Sequence, residues 1–215
     1  MTDSSSTPNQ IWNVPNKLSV ARLLLSFVVF ALIPLGVYHA GFYWAALVIF
    51  VIAAGTDWID GWYARKFEQV TQLGRILDPF CDKIIICGTF ILIAVAMRGH
   101  FDWFSAIAGW MAVVVVGREL LVTALRSFIE QSGGDFSAKM AGKLKMVFQC
   151  VAVGACLVAL AIRNRSGDFN TDIPSWLLFT MTTFVWLAVV STIYSGVGYI
   201  QAAAKRFTTG NSPAN

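Results

Sequence analysis

Four aspartates sit inside two otherwise apolar stretches, in the order Asp57-x-x-Asp60-Gly61-x-x-Ala64-Arg65, eight residues, then Gly74-x-x-x-Asp78-x-x-x-Asp82. Carboxylates are expensive at membrane depth and are rarely placed there without a role. On a helix, Asp57, Asp60, Gly61, Ala64 and Arg65 fall at i, i+3, i+4, i+7 and i+8, a single face. Gly74, Asp78 and Asp82 repeat at i, i+4 and i+8, again one face. Two helices thus each aim a pair of carboxylates at a common place, and carboxylate oxygens are hard ligands that suit Mg²⁺ or Mn²⁺. The plain alternative is a set of helix-end carboxylates paired with Arg65, Lys66, Arg75 and Lys83, with Asp78 before Pro79 at a helix start. Four carboxylates on two faces would then repel one another more than those cations offset, so a metal site is the better reading. Gly61 and Ala64 on the ligand face let a nucleotide or phosphate approach the backbone, or serve tight helix packing. Arg65 offers a planar fork to a phosphate oxygen.

A second constellation is basic. Gly117-Arg118-Glu119-Leu-Leu-Val-Thr-Ala-Leu-Arg126 places Arg118 and Arg126 eight residues apart on roughly one helix face, and Lys139, Lys143 and Lys145 follow. Any one of these could snorkel toward water. Arg118, beside Glu119 and well inside its apolar run, is harder to dismiss. Several cations near a metal site suggest a second, phosphate-bearing anionic substrate.

The elements that must position these groups are membrane helices. The chain has 215 residues, 57% hydrophobic and 13% charged, with a mean hydropathy of +0.65. A soluble domain carries roughly a quarter charged residues. The expected fold is therefore all-α and polytopic, with six spans near 18–37, 43–63, 77–97, 103–129, 138–162 and 176–203, each of about 20 residues or more. Charges toward one end of the second to fifth runs would clip them in a hydropathy scan. Ile11 and Trp12 with Asn13-Val14-Pro15-Asn16 read as an interfacial lead-in, and Asn16 or Ser19 is a candidate cap for the first helix.

With both termini on one side, that side carries all of the 16 Lys and Arg except Arg98, Arg163 and Arg165. The positive-inside rule then puts both termini and the aspartates in the cytoplasm, in a multi-pass protein of the cell inner (cytoplasmic) membrane. Residues 1–10 and 208–215 are polar and read as disordered tails around a membrane domain at 11–207. No signal peptide is visible. Cys81, Cys87, Cys150 and Cys156 lie in apolar runs without metal-ligand spacing and read as small buried hydrophobes. His39 and His100 are isolated in short loops.

The string from Asp57 to Asp82, with every fixed position present, resembles the signature of the CDP-alcohol phosphotransferase family. Members transfer a phosphatidyl or similar phosphoryl group from a CDP-linked donor to an alcohol and release CMP. They are six-helix membrane enzymes, commonly dimeric, so the resemblance implies a homodimer. It further implies that Asp57, Asp60 and Asp78 ligate a pair of divalent metals, with Asp82 as general base and a further metal contact. Asp57, Gly61, Ala64, Arg65 and Gly74 are then the CDP-binding residues. The segment Arg118–Arg126 followed by Gly142-Lys143-Leu-Lys145 is similar to the phosphatidylglycerophosphate synthase branch, which uses CDP-diacylglycerol and sn-glycerol 3-phosphate. That branch usually has Thr where this chain has Met146. Ser195, Tyr199 and Ala202 are compatible with it, and Arg118, Arg126, Lys139, Lys143 and Lys145 become the candidate acceptor-phosphate residues. Phosphatidylglycerol (as in cardiolipin synthase), inositol phosphate or serine remain alternative acceptors. Membrane lipid is an expected partner and nucleic acid is not. A cation transporter would spread its ionisable residues through the membrane or repeat them in an inverted half, and no second copy of the motif is present.

Overall fold

A computed structural model describes residues 14–66, 72–102, 104–131, 140–165, 167, 169 and 171–209. Among them the regular structure is all helical, as expected: α1 Val14–Leu35, α2 Gly41–Lys66, α3 Gln72–Met97, α4 Gly109–Gln131, α5 Met140–Arg163 and α6 Ser175–Thr209. Among the described residues, four stretches are long and apolar enough to cross a membrane: Asn16–Leu35, Pro79–Met97, Leu144–Arg163 and Ser175–Gln201. In α2 the apolar part is the shorter Gly41–Thr56, because Asp57 and Asp60 follow. Arg118, Glu119 and Arg126 take α4 out of the apolar class. Several such helices make the chain a multi-pass membrane protein.

The core is apolar, with Ile33, Phe50, Phe90 and Leu157 buried, yet large apolar side chains such as Phe27, Val113, Phe179 and Tyr194 also face outward, and Arg22, Glu119, Lys145 and Gln149 are buried. An apolar exterior with charged groups enclosed fits a lipid solvent, in which polar groups must find partners within the protein. Hydroxyls in the helices follow the same rule: Ser26, Thr56, Thr123 and Thr180 each donate to the carbonyl four residues earlier in their own helix.

The chain forms two compact units. The first holds α1, α2, α3 as far as Leu92, and Leu160–Asp172. Here α1 packs along α2, and α1 also meets α3 at three heights. The Cys81 thiol donates to the Ser19 carbonyl at 3.4 Å, and Arg22 pairs with Asp82. The Phe30 ring lies so close to Gly88 that a Cβ there would clash with it. The contacts advance together along both helices, so α1 and α3 run the same way. The α1–α2 turn is held by Asn164, whose Nδ2 donates to the carbonyls of Gly36 (2.7 Å) and Val37 (3.1 Å). His39 Nδ1 accepts from the Gly41 N–H at 3.0 Å and so caps α2, whose first N–H groups have no helical acceptor.

In the second unit, Ile93–Ala159 with Ile173–Asn215, α4 packs on α6. The Phe104 and Trp110 rings meet Trp186 at 5.1 and 6.0 Å. Farther along both helices Arg118 meets Ser195 and Arg126 meets Tyr199, so α4 and α6 also run in parallel. Gln149 of α5 donates to Thr192 at 3.3 Å.

Several expected boundaries move. The first helix already begins at Val14, so Asn16 and Ser19 are buried inside it rather than at its cap position. Pro15 in its opening turn is the reason: its fixed φ suits a helix start and its missing N–H is not needed there. The fourth run is not helical from 103. The Asp102 carbonyl accepts from the N–H groups of Ser105 and Ala106, which makes a turn before α4. Asp78 and Pro79 lie well inside α3, so Asp78 is not a helix-start carboxylate. Helix α6 continues to Thr209, past the expected edge at 207. The expected tail at 1–10 and all but the first two residues of that at 208–215 lie outside the described residues. All four cysteines are free thiols, with Cys81 and Cys156 buried.

Asn164→Leu should remove both bonds to the α1–α2 turn and cost about 1–3 kcal/mol. The check is a lowered thermal unfolding midpoint in detergent, against an unchanged midpoint for Leu at the exposed Arg165.

Candidate active site

Asp57, Asp60, Gly61, Ala64 and Arg65 are all in α2, and Gly74, Asp78 and Asp82 are all in α3. The spacing that suggested one face per helix therefore lies on continuous helices. Of these eight, Asp82 is the one whose side chain is described. The side chains of Asp57, Asp60, Ala64, Arg65 and Asp78, and the surroundings of Gly61 and Gly74, lie outside what is described.

Arg22 of α1 donates through Nη1 to Asp82 Oδ1 at 2.8 Å. The two partners differ in access: the Arg22 side chain is 0% exposed and that of Asp82 is 31% exposed. Asp82 is thus held from the protein interior while its side chain keeps part of its surface exposed. The backbone around this pair is fixed by the Cys81–Ser19 contact and by Ser26 Oγ, which donates to the Arg22 carbonyl at 2.8 Å. Arg22 carried no site role in the sequence expectation. Its one sequence signal is its position, a cation in the middle of an apolar run that must meet an anion somewhere.

The basic constellation is partly assembled. Arg118 donates through Nη1 to Glu119 at 3.0 Å and through Nη2 to Ser195 Oγ at 2.6 Å. Its guanidinium carbon lies 5.6 Å from the centre of the Tyr199 ring, within cation–π range. Arg126 donates to the Tyr199 hydroxyl at 3.4 Å. Lys145 of α5 pairs with the same Glu119 oxygen. A Cβ at Gly196 would stand 3.2 Å from Arg118 Cγ, so glycine leaves the room this side chain needs. Arg118, Arg126 and Lys145 therefore belong to one buried network of α4, α5 and α6. Lys139, and the Lys143 side chain, lie outside the described residues.

The sequence named Glu119 only as a neighbour of Arg118, and Ser195 and Tyr199 only as compatible. They are the residues that build the network. Arg118 and Lys145 meet the Glu119 carboxylate, whereas Arg126 meets the Tyr199 hydroxyl. Both Arg118 Nε and Arg126 Nε are buried without a hydrogen-bond partner among the described residues. These two unused N–H donors are what an anionic ligand would satisfy.

A family model described as CDP-alcohol phosphatidyltransferase matches residues 12–194. A Bacillus subtilis (strain 168) protein named CDP-diacylglycerol–glycerol-3-phosphate 3-phosphatidyltransferase is 31% identical over 212 residues, covering 94% of this chain and 100% of that protein. Proteins of the same name are similar in Yersinia enterocolitica, 33% identical over 90% of this chain and 96% of the relative, and in Salmonella paratyphi A, 30% identical over 89% and 95%.

Glu119→Ala should strip the shared carboxylate from two buried cations and destabilise the protein by about 3–5 kcal/mol. Thermal unfolding in detergent checks it, and Glu119→Gln, which keeps an acceptor oxygen for Arg118 and Lys145, should lose less.

Proposed function

The chain belongs to the CDP-alcohol phosphatidyltransferase family, and we propose that it transfers the phosphatidyl group of CDP-diacylglycerol to sn-glycerol 3-phosphate. The products are phosphatidylglycerophosphate and CMP. The acceptor's primary hydroxyl oxygen attacks the diacylglycerol-bearing phosphorus, and the bond from that phosphorus to CMP breaks. The names of the relatives support this acceptor. The observation that carries it is the network of Arg118, Glu119 and Lys145, joined through Tyr199 by Arg126, with two buried guanidinium N–H donors unused among the described residues. An acceptor without a phosphate would leave those donors unused.

Asp57, Asp60, Asp78 and Asp82 would hold two divalent cations, Mg²⁺ or Mn²⁺. A donor set made of carboxylates on two continuous helices, with the Asp82 carboxylate partly open, fits such hard ions. Bound there, the ions supply charge neutralisation at the donor pyrophosphate and polarise the attacked phosphorus. Asp57, Gly61, Ala64, Arg65 and Gly74 form the CDP side of the site, where small residues admit the nucleotide and Arg65 takes a phosphate oxygen. Asp82 accepts the proton of the acceptor hydroxyl. Arg118, Arg126 and Lys145, with Lys139 and Lys143, bind the acceptor phosphate.

The donor's acyl chains enter from the bilayer, between apolar helix faces. Helices α2 and α4, with 26 and 23 residues, also span, which gives six crossings in a membrane domain at 11–207 between polar tails. Both termini and the site face the cytoplasm at the inner membrane, in agreement with the distribution of Lys and Arg. The assembly is a homodimer, as the family resemblance implies.

The test is CMP release by the purified protein with CDP-diacylglycerol and Mg²⁺, offering glycerol 3-phosphate, inositol phosphate, serine or phosphatidylglycerol. Release with glycerol 3-phosphate is expected; release only with another acceptor keeps the family and rejects this acceptor. Arg118→Ala should raise KM for glycerol 3-phosphate about 10- to 100-fold, the loss of charged hydrogen bonds, and KM for the donor far less. The reverse ranking would move Arg118 to the nucleotide side.

A further inference from the structure

Arg22 is the largest fully buried charged side chain outside the residues given a role above. It lies eight residues after the start of α1, roughly 12 Å along the helix at 1.5 Å per residue. The stretch Asn16–Leu35 around it has a mean hydropathy of 2.3, and its neighbours Leu24, Phe27 and Val28 face outward. With no exposed surface, it does not snorkel to water. Its Nη1 instead reaches across to Asp82 on α3 at 2.8 Å.

A buried ion pair is weak evidence for stability, since apolar residues of similar volume often serve as well or better. The asymmetry of this pair points to another purpose. The side chain of one partner is wholly inside, and that of the other is partly exposed. A carboxylate on a helix has rotamer freedom; a guanidinium fixed behind it removes that freedom and sets one oxygen. The clamp is itself held on both sides, by Ser19 and Cys81 and by Ser26, and the close approach of Phe30 to Gly88 keeps α1 against α3 farther along.

We infer that Arg22 is a positioning residue for the phosphatidyl transfer, fixing the Asp82 carboxylate in the orientation that accepts the acceptor's hydroxyl proton. The inference rests on Asp82 being that base. Arg22 touches neither substrate, and its effect passes through Asp82. It also gives Asp82 a counter-charge from another helix, α1.

The experiment is a double-mutant cycle on the full-length protein in detergent, with Arg22→Gln, Asp82→Asn and the pair combined. It reads kcat and both KM values by CMP release from CDP-diacylglycerol and glycerol 3-phosphate, together with CDP-diacylglycerol binding and the unfolding midpoint. General-base catalysis contributes about 10²- to 10⁴-fold. Arg22→Gln is expected to lower kcat about 10- to 100-fold with both KM values within about threefold. The combined variant should be no slower than Asp82→Asn alone, which itself nearly abolishes turnover while still binding donor. Arg22→Lys keeps the charge on a shorter reach and should recover part of the loss, and it carries the test if the Gln variant does not fold. Wild-type kcat in whichever Arg22 variant folds, with Asp82→Asn inactive, would overturn the role of Arg22 alone. Additive losses in the cycle, or a fall in donor binding that accounts for the lost rate, would reduce Arg22 to a structural support. Near-normal turnover by Asp82→Asn would remove the base itself, and the inference with it.

Discussion

A charge taken out of water at membrane depth has to meet its counter-charge inside the protein, and the polar parts of this chain are arranged by that requirement. Arg22 is fully buried in a helix whose opposite face is Leu24, Phe27 and Val28, and its charge is met by Asp82. Glu119 is met twice, by Arg118 from its own helix and by Lys145 from α5. Neutral polar groups obey a weaker form of the rule. Hydroxyls bond back to their own helix, Gln149 finds Thr192, and Asn164 ties two backbone carbonyls of the α1–α2 turn. Lipid supplies no hydrogen bonds to such groups, so each helix position that carries one is committed to a particular neighbour.

That commitment fixes helix packing more sharply than apolar contact does. Leu, Val and Ile faces slide against one another with little change in energy, whereas Arg22 is held by a carboxylate and Arg118 by a serine and a glutamate. Where helices must come close for such pairs to form, small residues give the room. Gly88 lies against the Phe30 ring, and Gly196 lies against the stem of Arg118. The polar contacts thus define the register of α1 with α3 in one unit and of α4 with α6 in the other.

Which parts of this were legible in the sequence follows from the range of the interaction. The six helices were, because apolar runs of about 20 residues are a local property; the errors fell at their ends. Pro15 set the start of α1 ahead of both polar side chains proposed as caps. Asp102 made a turn where composition alone continued a helix. Pro79 argued for a helix start at Asp78, yet α3 runs through it. The aspartate pattern was legible because i, i+4 and i+8 are spacings within one helix. Arg22–Asp82 is sixty residues apart and Lys145–Glu119 twenty-six, so neither pair leaves a periodic trace. Ser195 and Tyr199 are ordinary residues in an apolar helix, and only the register of α6 against α4 gives them a role.

Glu119 is the least expected member of a network read as an anion site, and charge balance explains it. Arg118, Arg126 and Lys145 buried together without it would carry three positive charges in a medium that screens poorly. The cost of desolvating three unpaired cations makes that arrangement untenable before a ligand binds. With Glu119 the four side chains carry two. A phosphate monoester near neutral pH bears a charge of about −1.5 to −2, so the proposed acceptor would offset more of the remaining positive charge than a phosphodiester such as phosphatidylglycerol, with one negative charge, or serine, with none. Glu119 itself holds Arg118 and Lys145 together and lowers the charge that a ligand would have to meet.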